Sequence, residues 1–150
     1  MRAVLVLSHA AATAMRERGR GAIVNVSSVS GWAVMGPYSA SKSWVTVFSE
    51  GLAGEVGPDG VRVLALAPGF VRTEFHQRAG MTMSMVPSWG WLDADRVVDE
   101  CLRDLRAGRL VSVPSRRWTV LATLLRVLPR ATVRAGTGRF QRARATDVPG

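Results

Sequence analysis

The chain has 150 residues, 47% of them apolar and 21% charged, which fits one globular domain and excludes a disordered or collagen-like chain. A single cysteine, Cys101, excludes an intramolecular disulfide framework and a Cys-rich zinc site, and two histidines far apart, His9 and His76, give no metal-ligand spacing. No apolar run reaches the roughly 18–20 residues of a membrane-spanning helix, so a soluble domain in a reducing, cytoplasmic compartment is expected, without a metal.

The net charge of +9 is uneven, because from Pro114 onward eight arginines face one acid, Asp147. The excess belongs to a C-terminal appendage, and the preceding residues are nearly balanced. Nineteen arginines accompany one lysine, Lys42, which makes that lysine worth following.

In chain order, Val4, Leu7, Ala11 and Met15 stand at helical spacing. Ser8 and His9 interrupt the apolar run and no basic cluster precedes it, so an amphipathic helix is preferred to a signal peptide. It ends at Arg16-Glu17-Arg18-Gly19. Ile23, Val24 and Val26 then form a short β-branched run, expected as a parallel strand at about 22–27 buried on both faces. A Ser/Gly/Pro-rich loop follows to Pro37. From Tyr38 the period turns helical, with Val45, Phe48, Leu52 and Val56 in step, until Gly57-Pro58-Asp59-Gly60 stops it. A second strand is expected at 61–66, ending at Pro68-Gly69. Strand, helix and strand make one βαβ unit.

Residues 70–91 show no sustained period and hold Met81, Met83, Met85, Trp89 and Trp91. A long segment after a strand's carboxyl end is where open α/β sheets build lids and pockets, and the apolar content points to an apolar ligand. Asp93 is a candidate N-cap for a helix carrying Val97, Val98, Cys101, Leu102 and Leu105 on one face, closed by Gly108. A third strand is expected at about 109–113. A last amphipathic helix places Trp118, Leu121, Leu124, Leu125 and Leu128 together and stops at Pro129. The expected organisation is thus one α/β domain over 1–128 and a basic, poorly ordered tail over 129–150.

Chemistry concentrates at Tyr38 and Lys42, the only tyrosine and the only lysine, which a spacing of four places on one helix face. A phenol with an ordinary pKa near 10 is a poor acid or base at neutral pH, and an adjacent ammonium stabilises its anion. Lysine also offers a compact three-donor head able to hold sugar hydroxyls. An exposed helical Tyr/Lys pair is common, and alone it would mean little.

The surrounding residues are Asn25-Val26-Ser27-Ser28-Val29-Ser30-Gly31, then Tyr38-Ser39-Ala40-Ser41-Lys42, then Pro68-Gly69-Phe70-Val71-Arg72-Thr73. With these three motifs in order, the sequence resembles the short-chain dehydrogenase/reductase family over at least residues 1–113. The resemblance implies a Rossmann-type, doubly wound parallel sheet, NAD or NADP as cofactor, and a small-molecule alcohol or carbonyl substrate. It implies Tyr38 as the acid/base, Lys42 as the group that lowers the phenol's pKa and holds the nicotinamide ribose, and Ser28 as the donor to the substrate oxygen. Pro68, Gly69, Val71 and Thr73 would cradle the nicotinamide. Read without the resemblance, Ser28 is a strand-end turn serine and Thr73 a helix N-cap. Ser28 and Tyr38 are only ten positions apart, so the loop between them, which carries Trp32 and Met35, is tight.

The family's glycine-rich TGxxxGxG turn, which receives the phosphates at a helix N-terminus, has no counterpart in this sequence. Met1-Arg2-Ala3-Val4 matches the middle of a family helix, with the family's catalytic asparagine falling just before Met1. The first nucleotide-binding half is therefore expected to be missing and the fold partial, with an open strand edge and a tendency to self-associate. Relatives pair through the helices corresponding to residues 1–15 and 38–56, so a homo-oligomer is expected. Two alternatives stand beside the enzyme: a catalytically inactive relative acting through association, and a protein whose basic tail meets an anionic membrane. No aromatic interleaving or motif supports nucleic acid. The last helix is taken as a solvated basic extension that covers the core with Trp118 and its leucines, in preference to a membrane contact.

Overall fold

The computed structural model describes residues 1–72 and 88–145. Helix α1 (Arg2–Glu17) leads through Gly19, which has φ +65°, into strand β1 (Gly21–Val26). A 3-10 turn (Val29–Trp32) precedes helix α2 (Gly36–Val56), and strand β2 (Val61–Leu66) follows. Two short strands, β3 (Phe70–Val71) and β4 (Trp91–Leu92), flank the undescribed segment. Helix α3 (Ala94–Arg106), strand β5 (Val111–Ser112) and helices α4 (Arg116–Val127) and α5 (Arg130–Ala145) complete the chain.

The main sheet is parallel, in the order β1-β2-β5. β1 and β2 pair in register from Gly21 opposite Val61 to Val26 opposite Leu66. β2, in the centre, is buried at every position except Arg62. On one face Ala12, Ile23, Ala53, Val56, Val61 and Val63 form a core between the sheet and helices α1 and α2. On the other, Leu64 and Leu66 pack with Leu92, Val97 and Cys101, and Trp118 closes over them. Full burial of each such aliphatic side chain contributes about 1.5–3 kcal/mol, so β2 anchors both layers.

The structure matches the expected α/β, Rossmann-type architecture, and it differs from the sequence reading in four places. β1 is buried on one face only: Ile23 and Asn25 point into the core, whereas Val24 and Val26 are exposed. A continuous apolar run therefore did not report two-sided burial. Phe70–Val71 and Trp91–Leu92 pair as parallel strands where no element was expected; two-residue strands are too short to show a period.

α4 buries Ala122, with Trp118 and Leu125 partly covered, and leaves Leu121, Leu124 and Leu128 exposed. Leu121, Leu124 and Leu128 therefore do not cover the core, against which Trp118 packs. Finally, the stretch after Pro129, expected to be a poorly ordered tail, continues as α5 through Ala145. Pro129 ends one helix and immediately precedes another, whose first intrahelical bond its carbonyl accepts from Val133 N–H at 3.2 Å. Val133 is buried, and the Thr137 hydroxyl donates to the Val34 carbonyl at 3.0 Å.

Candidate active site

The carboxyl ends of β1 and β2 are tied together, and that junction sets the site. Ser27 N–H donates to the Leu66 carbonyl at 2.7 Å, and Val29 N–H donates to the Pro68 carbonyl at 3.1 Å. Ser28 sits between them in extended backbone as the cap of the 3-10 turn. Its Oγ accepts from Ser30 N–H at 3.2 Å and from the Ser30 hydroxyl at 2.9 Å, and it reaches the Pro68 carbonyl at 3.5 Å. Ser28 and the Pro68–Val71 turn therefore stand side by side. Thr73 lies outside the described residues, as do Met81, Met83 and Met85.

Helix α2 begins at Gly36, with φ +72°, and Pro37, whose missing N–H costs nothing in a first helical turn. Tyr38 is on that turn and is 54% exposed, so its ring is open to an incoming molecule. Lys42 is one turn on, with its Nζ 5.7 Å from the centre of the Tyr38 ring. The expected shared face is thus present. Lys42 Nζ also donates to the Val26 carbonyl at 3.0 Å, which fixes the ammonium against the end of β1 and, among the described residues, leaves two of its three donors uncommitted. Partial burial lowers the Lys42 pKa below its ordinary value by penalising the charged form.

Residues to which the sequence reading gave no role hold this pair in place. The Ser27 hydroxyl donates to the Lys42 carbonyl at 2.7 Å and lies 2.7 Å from the Thr46 hydroxyl, which itself donates to the Lys42 carbonyl at 3.2 Å. Gly31 presses on the backbone of Lys42 and Ser43, where a Cβ would meet Ser43 N at 3.0 Å and the Lys42 carbonyl carbon at 3.1 Å. Deeper in, Ser8 donates to Asn25 Oδ1 at 3.2 Å, Asn25 Nδ2 to Ser49 Oγ at 3.0 Å, and Ser49 to the Val45 carbonyl at 2.7 Å. This buried chain joins α1, β1 and α2. Its one sequence trace is Asn25, a polar residue inside an otherwise apolar strand.

The loop between Ser28 and Tyr38 is braced from outside. Arg126 of α4 lies over the Trp32 ring at 5.5 Å, and α5 holds Val34 through Thr137. On the other side of the junction Phe70 meets Trp91 and Trp118 ring to ring, at centroid distances of 5.9 and 5.6 Å. The Trp118 indole donates to the Gly90 carbonyl at 3.1 Å.

The arrangement can present an accessible phenol, an ammonium and a serine hydroxyl at the carboxyl end of a parallel sheet, where ligands of such sheets bind. The residues fit a nicotinamide cofactor on two observations: Lys42 has donors to spare for ribose hydroxyls, and the Pro68–Val71 backbone lies beside Ser28.

Comparison with known proteins follows this geometry. The sequence model for short chain dehydrogenases matches residues 1–83. The chain is 42% identical over 87 residues to galactitol 2-dehydrogenase (L-tagatose-forming) from Cereibacter sphaeroides, covering 55% of this chain and 34% of that protein. It is 37% identical over 102 residues to the short-chain reductase protein NovJ from Streptomyces niveus, covering 64% and 35% respectively. Among solved structures it is similar to a short-chain dehydrogenase from Sphingobium yanoikuyae in complex with NADPH, with a TM-score of 0.70 and 33% identity over 87% of this chain and 55% of that one. The bulky-bulky ketone specific alcohol dehydrogenase from Comamonas testosteroni follows with a TM-score of 0.64 and 30% identity, over 87% and 52%. The chain spans little more than half the length of these structures and about a third of the two curated relatives.

Proposed function

Because the chain belongs to the short-chain dehydrogenase/reductase family, we propose that it carries the proton-transfer and nicotinamide-facing half of an NAD- or NADP-dependent oxidoreductase that interconverts a hydroxyl and a carbonyl. The observation that carries this reading is the Lys42 ammonium, anchored on the Val26 carbonyl and facing the exposed Tyr38 ring. When bound, the cofactor supplies or takes the hydride. The chain's own residues do the rest. The Ser28 hydroxyl donates to the substrate oxygen and fixes its position. The Tyr38 Oη gives its proton to that oxygen in reduction and takes it back in oxidation. Lys42 stabilises the resulting phenolate and holds sugar hydroxyls with its free donors. Pro68, Gly69 and Val71 form the wall on which the nicotinamide rests, and the family's motif assigns Thr73 to the same ligand.

The NADPH complex of the Sphingobium relative supports a nicotinamide cofactor. The alcohol dehydrogenase and sugar-alcohol dehydrogenase among the relatives support an alcohol or carbonyl substrate. A domain over 1–128 working as a homo-oligomer is part of the same reading. Leu5, Val6 and Leu7 of α1 and Val47 of α2 are exposed, and Trp44 stacks on Phe48 at 4.9 Å, which gives these helices apolar faces to pair.

The test uses nicotinamide mononucleotide, which needs only the half of a dinucleotide site that these residues form. Saturable binding followed by ligand-observed NMR is expected for the full chain, weakened at least about tenfold by Lys42→Ala (K42A), the size of a lost charge-assisted hydrogen bond. Cofactor-linked reduction of small ketones is expected to vanish in Tyr38→Phe (Y38F). Binding that is absent, or unchanged in Lys42→Ala, overturns the assignment.

A further inference from the structure

The outer face of α4 is apolar without being buried. Val120, Leu121, Leu124, Val127 and Leu128 repeat at intervals of one, three, three and one, forming a single stripe down one side of the helix. Every one of them is exposed, Val127 most of all at 71%. The opposite side, carrying Trp118, Ala122 and Leu125, supplies the contacts with the rest of the molecule. A helix on a protein surface ordinarily turns polar residues outward, so two apolar sides indicate a second neighbour.

The charge around the stripe states what that neighbour is. Arg116 and Arg117 stand at its start, and Arg130 and Arg134 follow its end; all four are exposed. No acidic residue occurs between Pro114 and Ala145, and among the described residues none of these four arginines pairs with an acid. We propose that α4, with the start of α5, lies on an anionic phospholipid surface, its leucine and valine stripe in the acyl boundary and its arginines on the headgroup phosphates. Apolar area and basic charge on one element are the two terms that bind an interfacial helix. No helix among the described residues is long and apolar enough to cross a membrane, so the contact is lateral. A second copy of the chain fits less well, because face-to-face pairing of this surface brings like charges together.

Flotation with vesicles tests this, since bound protein rises and aggregated protein sinks. The full chain is expected to float with phosphatidylcholine vesicles containing phosphatidylglycerol, and at least about tenfold less with phosphatidylcholine alone, as several arginine–headgroup attractions require. Leu121→Ser with Leu124→Ser is expected to abolish flotation; both positions are exposed, and circular dichroism should remain unchanged. Arg130→Gln with Arg134→Gln is expected to lower it toward the phosphatidylcholine level. Equal flotation on both vesicle types, or flotation indifferent to either pair of substitutions, overturns the proposal. So does absent flotation with a dimer, seen by sedimentation velocity, that the Leu121→Ser/Leu124→Ser variant dissolves, which would make the partner a second copy.

Discussion

Gly69 packs against the indole of Trp118 so closely that a Cβ at Gly69 would collide with Trp118 Cε2 and Cδ2. Trp118 in turn closes the core formed by Leu64, Leu66 and Leu92. The turn at the site and the seating of α4 are therefore one packing unit. Gly69→Ala is expected to destabilise by about 1–3 kcal/mol, as overpacking does. Trp118→Ala should cost about 3–5 kcal/mol through the cavity it leaves. Denaturant titration of the two variants checks both. If Gly69→Ala melts like the parent chain, the contact is not tight in solution.

Ser27 and Thr46 both serve the Lys42 carbonyl. Ser27→Ala is expected to lose about 1–2 kcal/mol, and Thr46→Val less than that, because the shorter Ser27 bond remains. The double variant should be non-additive, as groups sharing one acceptor are. Urea unfolding of the three proteins gives the coupling energy, and simple additivity would show the two hydroxyls acting independently.

Glu100 ties α3 to the start of α4. Its carboxylate accepts from Ser115 N–H and from Arg96 Nε, each at 2.8 Å, and Ser115 has a φ of +76° that a serine rarely adopts. Burial raises the Glu100 pKa, but the Ser115 and Arg96 hydrogen bonds and the charges of Arg96 and Arg103 outweigh it, and the net pKa is lowered from 4.5. A carboxyl lowered on folding contributes stability that is fully present above its unfolded value and is lost as pH falls through the folded value. Melting temperature should therefore drop below about pH 4.5, and Glu100→Gln should flatten that part of the profile while costing about 1–3 kcal/mol at neutral pH. An unchanged acid limb in the variant would remove Glu100 from the account.

Two features of β1 invite association: its position at the border of the sheet and the exposed Val24 and Val26. Unpaired strand edges with apolar side chains template aggregation, and lysine suppresses it. Val24→Lys is expected to raise the soluble, monomeric fraction in size-exclusion chromatography with little change in secondary structure. A parent chain already monomeric at high concentration would contradict this.

The alternation of strand and helix was legible because α2 is long enough to show its period and β2 is an apolar run bounded by glycine and proline turns, and Asp93 caps α3 with its Oδ1 on Asp95 and Arg96 N–H as its chemistry implies. The Tyr38/Lys42 pairing was legible for the same reason, since helical spacing alone places the two together. What escaped the sequence depends on distant partners. The Ser8–Asn25–Ser49 chain links residues 17 and 24 positions apart, and small polar residues carry no periodic mark. The β3–β4 pairing joins Phe70 to Trp91 across an intervening segment. For α4, Trp118, Leu121, Leu124, Leu125 and Leu128 were expected together over the core, but hydrophobicity does not say which apolar residues meet the protein, and Leu121, Leu124 and Leu128 are exposed.

The hydrogen bond from Lys42 ends on the outermost strand of the sheet. Val26 belongs to the rim, so any strand that docks alongside β1 arrives next to the carbonyl that steadies the ammonium. Whatever occupies that border therefore bears directly on where the ammonium stands relative to the Tyr38 ring.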